Sequence, residues 1–251
     1  MHRWWRSYCY RYRTYVIKYS KVQSMPTILI TGANRGLGLE FVRQYINANW
    51  RVIATCRNPE LAQDLKEIRG EKEIFPMDVS DFKSVEKISA LLRSEKIDVL
   101  LNNAGIFDSY KKGLGQTNFD EWTNMLRINT LAPLKIIESF MEQVINSEKK
   151  IIVSISSLLG SLSANNSGGQ YAYRSSKSAL NSVNKSLSID LADKGIISIV
   201  ISPGWARTDM GGPNATVDPV DSVSGIREVI NNLKLEDNGK FFNFDGSIIN
   251  W

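Results

Sequence analysis

Short apolar runs alternate with longer amphipathic stretches along this chain from Thr27 onwards. Short apolar runs bounded by turns are typical of buried strands, and the longer stretches have the spacing of helices. Strands that alternate with helices pair in parallel through right-handed crossovers. We therefore predict an α/β fold: a single-domain, doubly wound parallel sheet of the Rossmann type, with helices on both faces.

The predicted elements follow this alternation. The strands are residues 27–30, 51–55, 73–77, 98–101, 151–155, 196–201 and 240–244. The helices are residues 37–47, 60–69, 81–95, 119–146, broken or bent near Pro133, 169–194 stopped by Gly195, and 220–233. The 251-residue length and 43% hydrophobic content fit one domain, which we assign to residues 25–251.

Residues 1–24 differ in composition from the rest of the chain. They hold six of the 31 basic residues and no acidic one, so residues 25–251 carry 25 basic and 26 acidic side chains, a net charge of −1 rather than +5. Nothing in the domain therefore indicates binding to nucleic acid. We interpret the segment as a disordered or non-native extension before Met25. A basic, aromatic arm that lies on a membrane surface is the alternative.

The scarcity of histidine and cysteine excludes several kinds of chemistry. His2 is the only histidine, and Cys9 and Cys56 are the only cysteines. The domain therefore has no Ser-His-Asp triad and no ordinary zinc site, and we predict no metal. Two cysteines make no disulfide framework and fit a reducing compartment. No apolar stretch approaches the roughly 20 residues of a membrane span, so we expect a cytoplasmic protein.

A glycine-rich turn joins the first strand to the first helix, with the sequence Thr-Gly-Ala-Asn-Arg-Gly-Leu-Gly at residues 31–38. Glycines at these points permit a tight turn and let the backbone approach a pyrophosphate, whose charge then faces the helix N-terminus. A purely structural turn is the alternative. The spacing Gly-x-x-x-Gly-x-Gly differs from the commonest dinucleotide fingerprint, Gly-x-Gly-x-x-Gly.

This spacing resembles that of the short-chain dehydrogenase/reductase family, and further motifs extend the resemblance from Thr27 to Trp251. Each motif occurs in its expected strand or helix context, in the order Asn102-Asn103-Ala104-Gly105, Asn129, Ser156-Ser157, Tyr173-Arg174-Ser175-Ser176-Lys177, and Pro203-Gly204 followed by Thr208. Residues 203–212 and 238–246 also resemble the C-factor and sniffer-like carbonyl reductases within that family.

The resemblance implies an oxidoreductase that transfers a hydride between a nicotinamide and a carbonyl or alcohol substrate. It implies that Tyr173 donates the proton, that Ser157 hydrogen-bonds the same substrate oxygen, and that Lys177 holds the nicotinamide ribose. Asn129 would hold a water that connects Lys177 to solvent. The implied cofactor contacts are Gly32, Asn34, Arg35, Gly36, Leu37, Gly38, Arg57, Asp78, Val79, Asn102, Ala104, Gly105, Tyr173, Lys177, Pro203, Gly204 and Thr208.

The pair Tyr173 and Lys177 has a physical rationale of its own. Residues i and i+4 share one face of a helix, so the lysine ammonium can approach the phenol. A nearby positive charge lowers the pKa of tyrosine from about 10 toward working pH. Tyr171 is the nearest competitor, but its i+4 partner is Ser175. Ser156 competes with Ser157, which we favour.

The end of the second strand bears on the choice of cofactor. Enzymes that prefer NAD typically place a carboxylate there to grip the ribose 2′-hydroxyl, whereas this strand ends in Thr55-Cys56-Arg57. Arg57 and Arg35 could together hold a 2′-phosphate, so we predict NADP(H) rather than NAD(H). The alternative is that either arginine is only a solvated surface charge.

Specificity and cellular role are less constrained by the sequence. Trp205 and Met210 on one side and residues 107–115 on the other could form apolar walls for a hydrophobic or aromatic small-molecule carbonyl, or could be packing residues. The alternative function is an NAD(P)-binding signalling or regulatory protein of the C-factor type that needs no turnover. The resemblance also allows a homodimer through the two long central helices.

Overall fold

Seven parallel strands form the centre of the structure, a computed structural model that describes residues 25–107 and 113–251. The strands are β1 (Thr27–Thr31), β2 (Arg51–Cys56), β3 (Lys72–Pro76), β4 (Val99–Asn102), β5 (Ile151–Ile155), β6 (Ile197–Ser202) and β7 (Phe241–Asn243). They lie in the order β3-β2-β1-β4-β5-β6-β7, and every neighbouring pair is parallel. The order reverses between β1 and β4, which opens a crevice at the carboxyl ends of these strands.

Helices connect the strands and cover both faces of the sheet. They are α1 (Gly36–Asn47), α2 (Gln63–Glu67), α3 (Phe82–Leu91), α4 (Phe119–Leu126), α5 (Ala132–Ser139), α6 (Met141–Ile145), α7 (Tyr171–Asp190) and α8 (Pro219–Asn232). The doubly wound α/β fold that the alternation of strands and helices predicts is therefore confirmed.

Successive side chains along each strand point to opposite faces of the sheet, so the core is divided into two layers. Ile28 and Ile30 of β1 pack in the layer that includes Phe41 of α1, whereas Leu29 packs in the opposite layer with Ile136 of α5. All of these side chains are at most 1% exposed. A strand buried on both faces must be apolar at every position, which explains the continuous apolar runs in the sequence.

The strands, α1 and α8 of the described residues begin and end within one residue of the sequence expectations, whereas α3 and α7 end four residues earlier than expected, at Leu91 and Asp190. The long helix expected between β4 and β5 differs more. That helix is interrupted by a π-helical turn at Arg127–Leu131 and ends again at Phe140. Pro133 lies two residues after the π-helical turn, in the first turn of α5, where its missing N–H costs little, so the break expected near Pro133 is confirmed. Helix α2 is also shorter than predicted and is preceded by a 3-10 turn at Pro59–Leu61.

The extension that we assign to residues 1–24 lies outside the described residues, as do residues 108–112 of the predicted apolar wall. In the described part of the chain, no helix is long and apolar enough to cross a membrane. The same residues contain no cluster of three or more histidine, cysteine or carboxylate side chains that could hold a metal ion.

Candidate active site

The glycine turn brings its backbone close to neighbouring segments. Gly32 and Gly36 have φ angles of 66° and 53°, a region that glycine adopts without strain. A Cβ atom on Gly38 would lie 2.1 Å from the carbonyl oxygen of Gly32, so only glycine fits there. Helix α1 begins at Gly36 and has no acidic residue in its first turn. Its free N–H groups and positive end therefore suit a phosphate group.

The segment after β4 is bonded directly to this turn. Thr31 Oγ1 accepts hydrogen bonds from the backbone N–H groups of Asn103 and Ala104, both at 3.0 Å. The Asn103 side-chain amide donates to the carbonyl oxygens of Thr31 and Gly32 at 2.9 and 3.2 Å. These bonds fix the two sides of the crevice relative to each other.

A cleft of about 590 Å³ runs along the crevice and collects most of the predicted site residues. Those that line it are Gly32, Asn34, Arg35, Gly36, Leu37, Gly38, Arg57, Asp78, Val79, Ala104, Gly105, Tyr173, Lys177, Pro203 and Thr208. The predicted residues that do not line it are Asn102, Asn129, Ser157 and Gly204. Asn102 lies beneath the cleft, 3% exposed, with its amide near the Pro133 carbonyl and Ser154.

Tyr173 and Lys177 lie together at the inner end of the cleft. The lysine Nζ is 5.8 Å from the centroid of the tyrosine ring and donates a hydrogen bond to the Ile155 carbonyl oxygen at 2.9 Å. Lys177 is only 5% exposed. Because burial disfavours the charged ammonium, the pKa of Lys177 falls from 10.5 to about 8. Tyr171, by contrast, is 40% exposed and does not line the cleft.

Asn129 lies behind Lys177 in the π-helical turn and is fully buried. Its amide exchanges two hydrogen bonds with the backbone of Ile106, each at 2.9 Å, and donates a third to Ser176 Oγ at 3.0 Å. Both amide N–H groups are therefore used within the chain. A Cβ atom on Gly105 would lie 3.2 Å from Asn129 Oδ1 and 3.6 Å from Lys177 Nζ, so the glycine keeps the space between these two groups open.

The two adjacent serines after β5 have different surroundings. Ser156 lines the cleft, but it is 2% exposed and its hydroxyl donates to Asn181 Oδ1 at 2.6 Å. Ser157 is half-buried, and its hydroxyl accepts the Leu159 N–H at 3.2 Å, which leaves its own proton available. Ser157 thus caps the 3-10 turn Leu158–Gly160 that begins the connection to α7.

Two exposed arginines lie at the outer end of the cleft. Arg57 follows β2 directly, and Arg35 precedes α1. The Arg35 guanidinium is 3.4 Å from Asp209, and both side chains are largely exposed. Such an exposed ion pair is weak, so Arg35 can readily turn to another anion. Asp78 accepts bonds from the N–H and hydroxyl of Ser80 within the same loop.

Apolar side chains border the cleft near Tyr173. The Phe107 ring meets the Tyr173 ring edge-on, with centroids 4.8 Å apart, and Met210 lines the cleft from the segment after β6. Both residues were expected from the sequence as apolar walls of the substrate site. Trp205 does not line the cleft and donates its indole N–H to the Gly211 carbonyl at 2.9 Å, which braces the segment that carries Met210.

Several lining residues were not singled out from the sequence. All but Ile128 lie at the end of a strand or in the loop beyond it, and the set comprises Cys56, Met77, Ser80, Ile106, Ile128, Ile155 and Asp209. The rule that ligands bind outside the carboxyl ends of parallel strands would have found most of them. Ile128 carries no such signal, because it reaches the cleft from the π-helical turn.

Comparison with known proteins agrees with this geometry. Residues 26–217 match the short chain dehydrogenase family. The C-signal protein of Myxococcus xanthus is 39% identical over 155 residues, which cover 62% of this chain and 93% of that protein. The carbonyl reductase Sniffer of D. melanogaster superposes with a TM-score of 0.84 at 35% identity, covering 90% of this chain and all of that one.

A second solved structure, the NADPH-bound carbonyl reductase from chicken fatty liver, superposes with a TM-score of 0.83 at 32% identity. It covers 90% of this chain and 99% of that one. The family match spans most of the described residues and includes the glycine turn and the pair Tyr173 and Lys177. The chain belongs to the short-chain dehydrogenase/reductase family of oxidoreductases.

Proposed function

We propose that this protein reduces the carbonyl group of a small, hydrophobic substrate with NADPH, with Tyr173 as the proton donor. The observation that carries the proposal is that Tyr173 and the buried Lys177 line the same cleft as the glycine turn, whose geometry suits a phosphate group. The two similar solved structures described as carbonyl reductases, one of them with NADPH bound, support the same reaction.

The residues present fit such a cofactor. The N-terminus of α1 and the close backbone approach at Gly38 suit the pyrophosphate. Arg35 and Arg57 would bind a 2′-phosphate through charge-assisted hydrogen bonds, and no carboxylate ends β2 to favour NAD. Asp78 and Val79 would border the adenine, while Lys177 would hold the nicotinamide ribose. The bound cofactor supplies the hydride.

The protein's own residues manage the proton. Tyr173 Oη donates its proton to the substrate oxygen as negative charge develops there, and Ser157 Oγ stabilises the same oxygen with a hydrogen bond. The Lys177 ammonium favours the tyrosinate that remains. A positioned proton donor of this kind contributes about 10²- to 10⁴-fold to the rate. Asn129 holds the backbone of Ile106, which lies in the loop after β4. We also assign to Asn129 a bound water through which Lys177 exchanges a proton with solvent.

The apolar border of the cleft supports a hydrophobic or aromatic substrate. Phe107 and Met210 offer apolar surface beside Tyr173, and burial of a ligand ring against them would contribute about 25 cal/mol per Å² of apolar surface. We expect a Phe107→Ala variant to raise KM for an aromatic aldehyde more than KM for acetaldehyde.

The direct test follows NADPH oxidation, as the loss of the reduced cofactor's near-ultraviolet absorbance, against a panel of aldehydes, ketones and quinones. Turnover with NADPH that exceeds turnover with NADH supports the proposal. NADPH binding without turnover on any member of the panel would contradict it.

The similarity to the C-signal protein favours one alternative, a signalling or regulatory role in which NAD(P) binds without essential turnover. The two functions separate in a Tyr173→Phe variant: a signalling role that needs only binding would survive this change. The homodimer that the family resemblance suggests also stays a prediction, which sedimentation velocity can test.

A further inference from the structure

One buried amide holds the chain on both sides of Ser157. Asn181 of α7 is 3% exposed. Its Oδ1 accepts a hydrogen bond from the Ser156 hydroxyl at 2.6 Å, and its Nδ2 donates to the Gly160 carbonyl oxygen at 3.2 Å. The residue before Ser157 and the third residue after it are thus fixed to the same side chain.

The turn that follows Ser157 also packs closely on α7. Ser178 Oγ donates to the same Gly160 carbonyl at 2.9 Å. A Cβ atom on Gly160 would lie 2.9 Å from Lys177 Cβ, so the turn's backbone touches the helix next to the lysine. These contacts with α7 therefore fix the position of the turn Leu158–Gly160 along that helix.

These contacts matter because the sequence alone leaves Ser157 poorly fixed relative to Tyr173. The two residues are 16 positions apart, and residues 162–168 between them are exposed. A flexible loop of that length closes over many end-to-end distances at similar free energy. Asn181, however, lies on the same rigid helix as Tyr173, two turns further along. Its amide can therefore set the distance from the helix to the Ser157 hydroxyl.

We propose that Asn181 is a positioning residue for carbonyl reduction. It holds the Ser157 hydroxyl at the position relative to Tyr173 from which both can contact the substrate oxygen. This inference rests on the proposed function. Asn181 does not line the cleft in the part of the chain that the structure describes, so its effect on the reaction passes through Ser157.

The chain offers a matched control on the same helix. Asn184 is 1% exposed, and its amide also makes two buried hydrogen bonds, donating to the Ser198 carbonyl at 3.2 Å and accepting the Ser198 hydroxyl at 2.8 Å. These bonds hold β6 rather than the turn after Ser157. Asn181→Leu and Asn184→Leu therefore remove the same number of buried bonds from the same helix.

We expect both variants to be less stable than the wild type and both to bind NADPH with unchanged Kd, measured by cofactor fluorescence. Only Asn181→Leu should lower kcat, by about 10- to 100-fold, since a displacement of about 1 Å can cost on the order of 10²-fold. If Asn181→Leu does not fold, Ser156→Ala removes one of the two bonds and should lower kcat in the same direction by a smaller factor.

The decisive measurement repeats Asn181→Leu in a Ser157→Ala background. If Asn181 acts through Ser157, adding Asn181→Leu to Ser157→Ala should change kcat by less than about twofold, because the effects of substitutions at residues that act as one unit do not add. A full multiplicative loss in that background, or an equal loss in Asn184→Leu, would overturn the inference. An active wild type with an unimpaired Asn181→Leu contradicts the inference alone, whereas a wild type that reduces no carbonyl contradicts the proposed function itself.

Discussion

The Lys177 ammonium nitrogen lies 5.8 Å from the centroid of the Tyr173 ring and donates a hydrogen bond to the Ile155 carbonyl oxygen. One helical turn separates the two residues on α7, so the helix itself fixes their spacing. Burial lowers the pKa of Lys177 to about 8, and the charge that the tyrosine needs is therefore sensitive to pH close to neutrality.

The first prediction concerns the pH dependence of turnover. Carbonyl reduction requires a protonated Tyr173 and a positive charge on Lys177. Because the pKa of Lys177 is lowered to about 8, its charge is lost as pH rises through that value. We expect kcat for carbonyl reduction to fall as pH increases from 7 to 9.5, measured with NADPH saturating. A kcat that is flat or rising over this range would contradict the role of Lys177.

The second prediction concerns stability. Between pH 8 and 10.5 the unfolded chain binds more protons at Lys177 than the folded chain does, so this residue's contribution to the unfolding free energy rises with pH through that window. We expect the wild type to gain up to about 3 kcal/mol relative to Lys177→Met between pH 7 and 10.5. Urea unfolding at several pH values measures the difference. Lys185→Met, which removes an exposed lysine from the same helix, serves as the control for the loss of a lysine side chain.

The third prediction concerns cofactor choice. Arg57→Gln should raise KM for NADPH about 10-fold or more, because a hydrogen bond to a charged group contributes roughly 1.5–3 kcal/mol. KM for NADH should change little, since that cofactor lacks the 2′-phosphate. Arg69→Gln removes an exposed arginine that does not line the cleft and serves as the control. Equal effects on the two cofactors would show that Arg57 does not bind the phosphate.

The fourth prediction concerns the glycine turn. Gly38→Ala places a Cβ atom 2.1 Å from the Gly32 carbonyl oxygen and 2.7 Å from Asn103 Nδ2, so the bonds that join the two sides of the crevice must shift. Overpacking of this kind costs about 1–3 kcal/mol. We expect a lower unfolding midpoint and weaker NADPH binding. Gly113→Ala meets no atom closer than 3.9 Å and should leave both unchanged.

Much of the fold could be predicted from the sequence because the strands are buried on both faces. Residues such as Ile28, Leu29 and Ile30 must then be apolar without exception, and the runs that they form stand out between amphipathic helices. Pro133 indicated a break or bend nearby, but the π-helical form of the interruption at Arg127–Leu131 could not be predicted, because a π-helical turn keeps helical side-chain periodicity on either side.

In the candidate site, too, some residues could be assigned from the sequence and others could not. Motif residues such as Gly32, Tyr173 and Lys177 could be assigned because their chemistry depends on local spacing. Asn181 could not, because its partners Ser156 and Gly160 lie more than 20 residues away along the chain. A buried asparagine on a helix carries no local signal that identifies which backbone groups it will meet.

The role of Tyr173 as proton donor is tested by comparing Tyr173→Phe with Tyr171→Phe on the same helix. Both changes remove one hydroxyl, but Tyr173 lines the cleft and is 8% exposed, whereas Tyr171 lies outside the cleft and is 40% exposed. With NADPH binding intact in both, we expect Tyr173→Phe to lower kcat for carbonyl reduction by about 10²- to 10⁴-fold and Tyr171→Phe to retain it. A Tyr173→Phe variant with wild-type kcat, or an equal loss in both variants, would contradict the assignment of Tyr173.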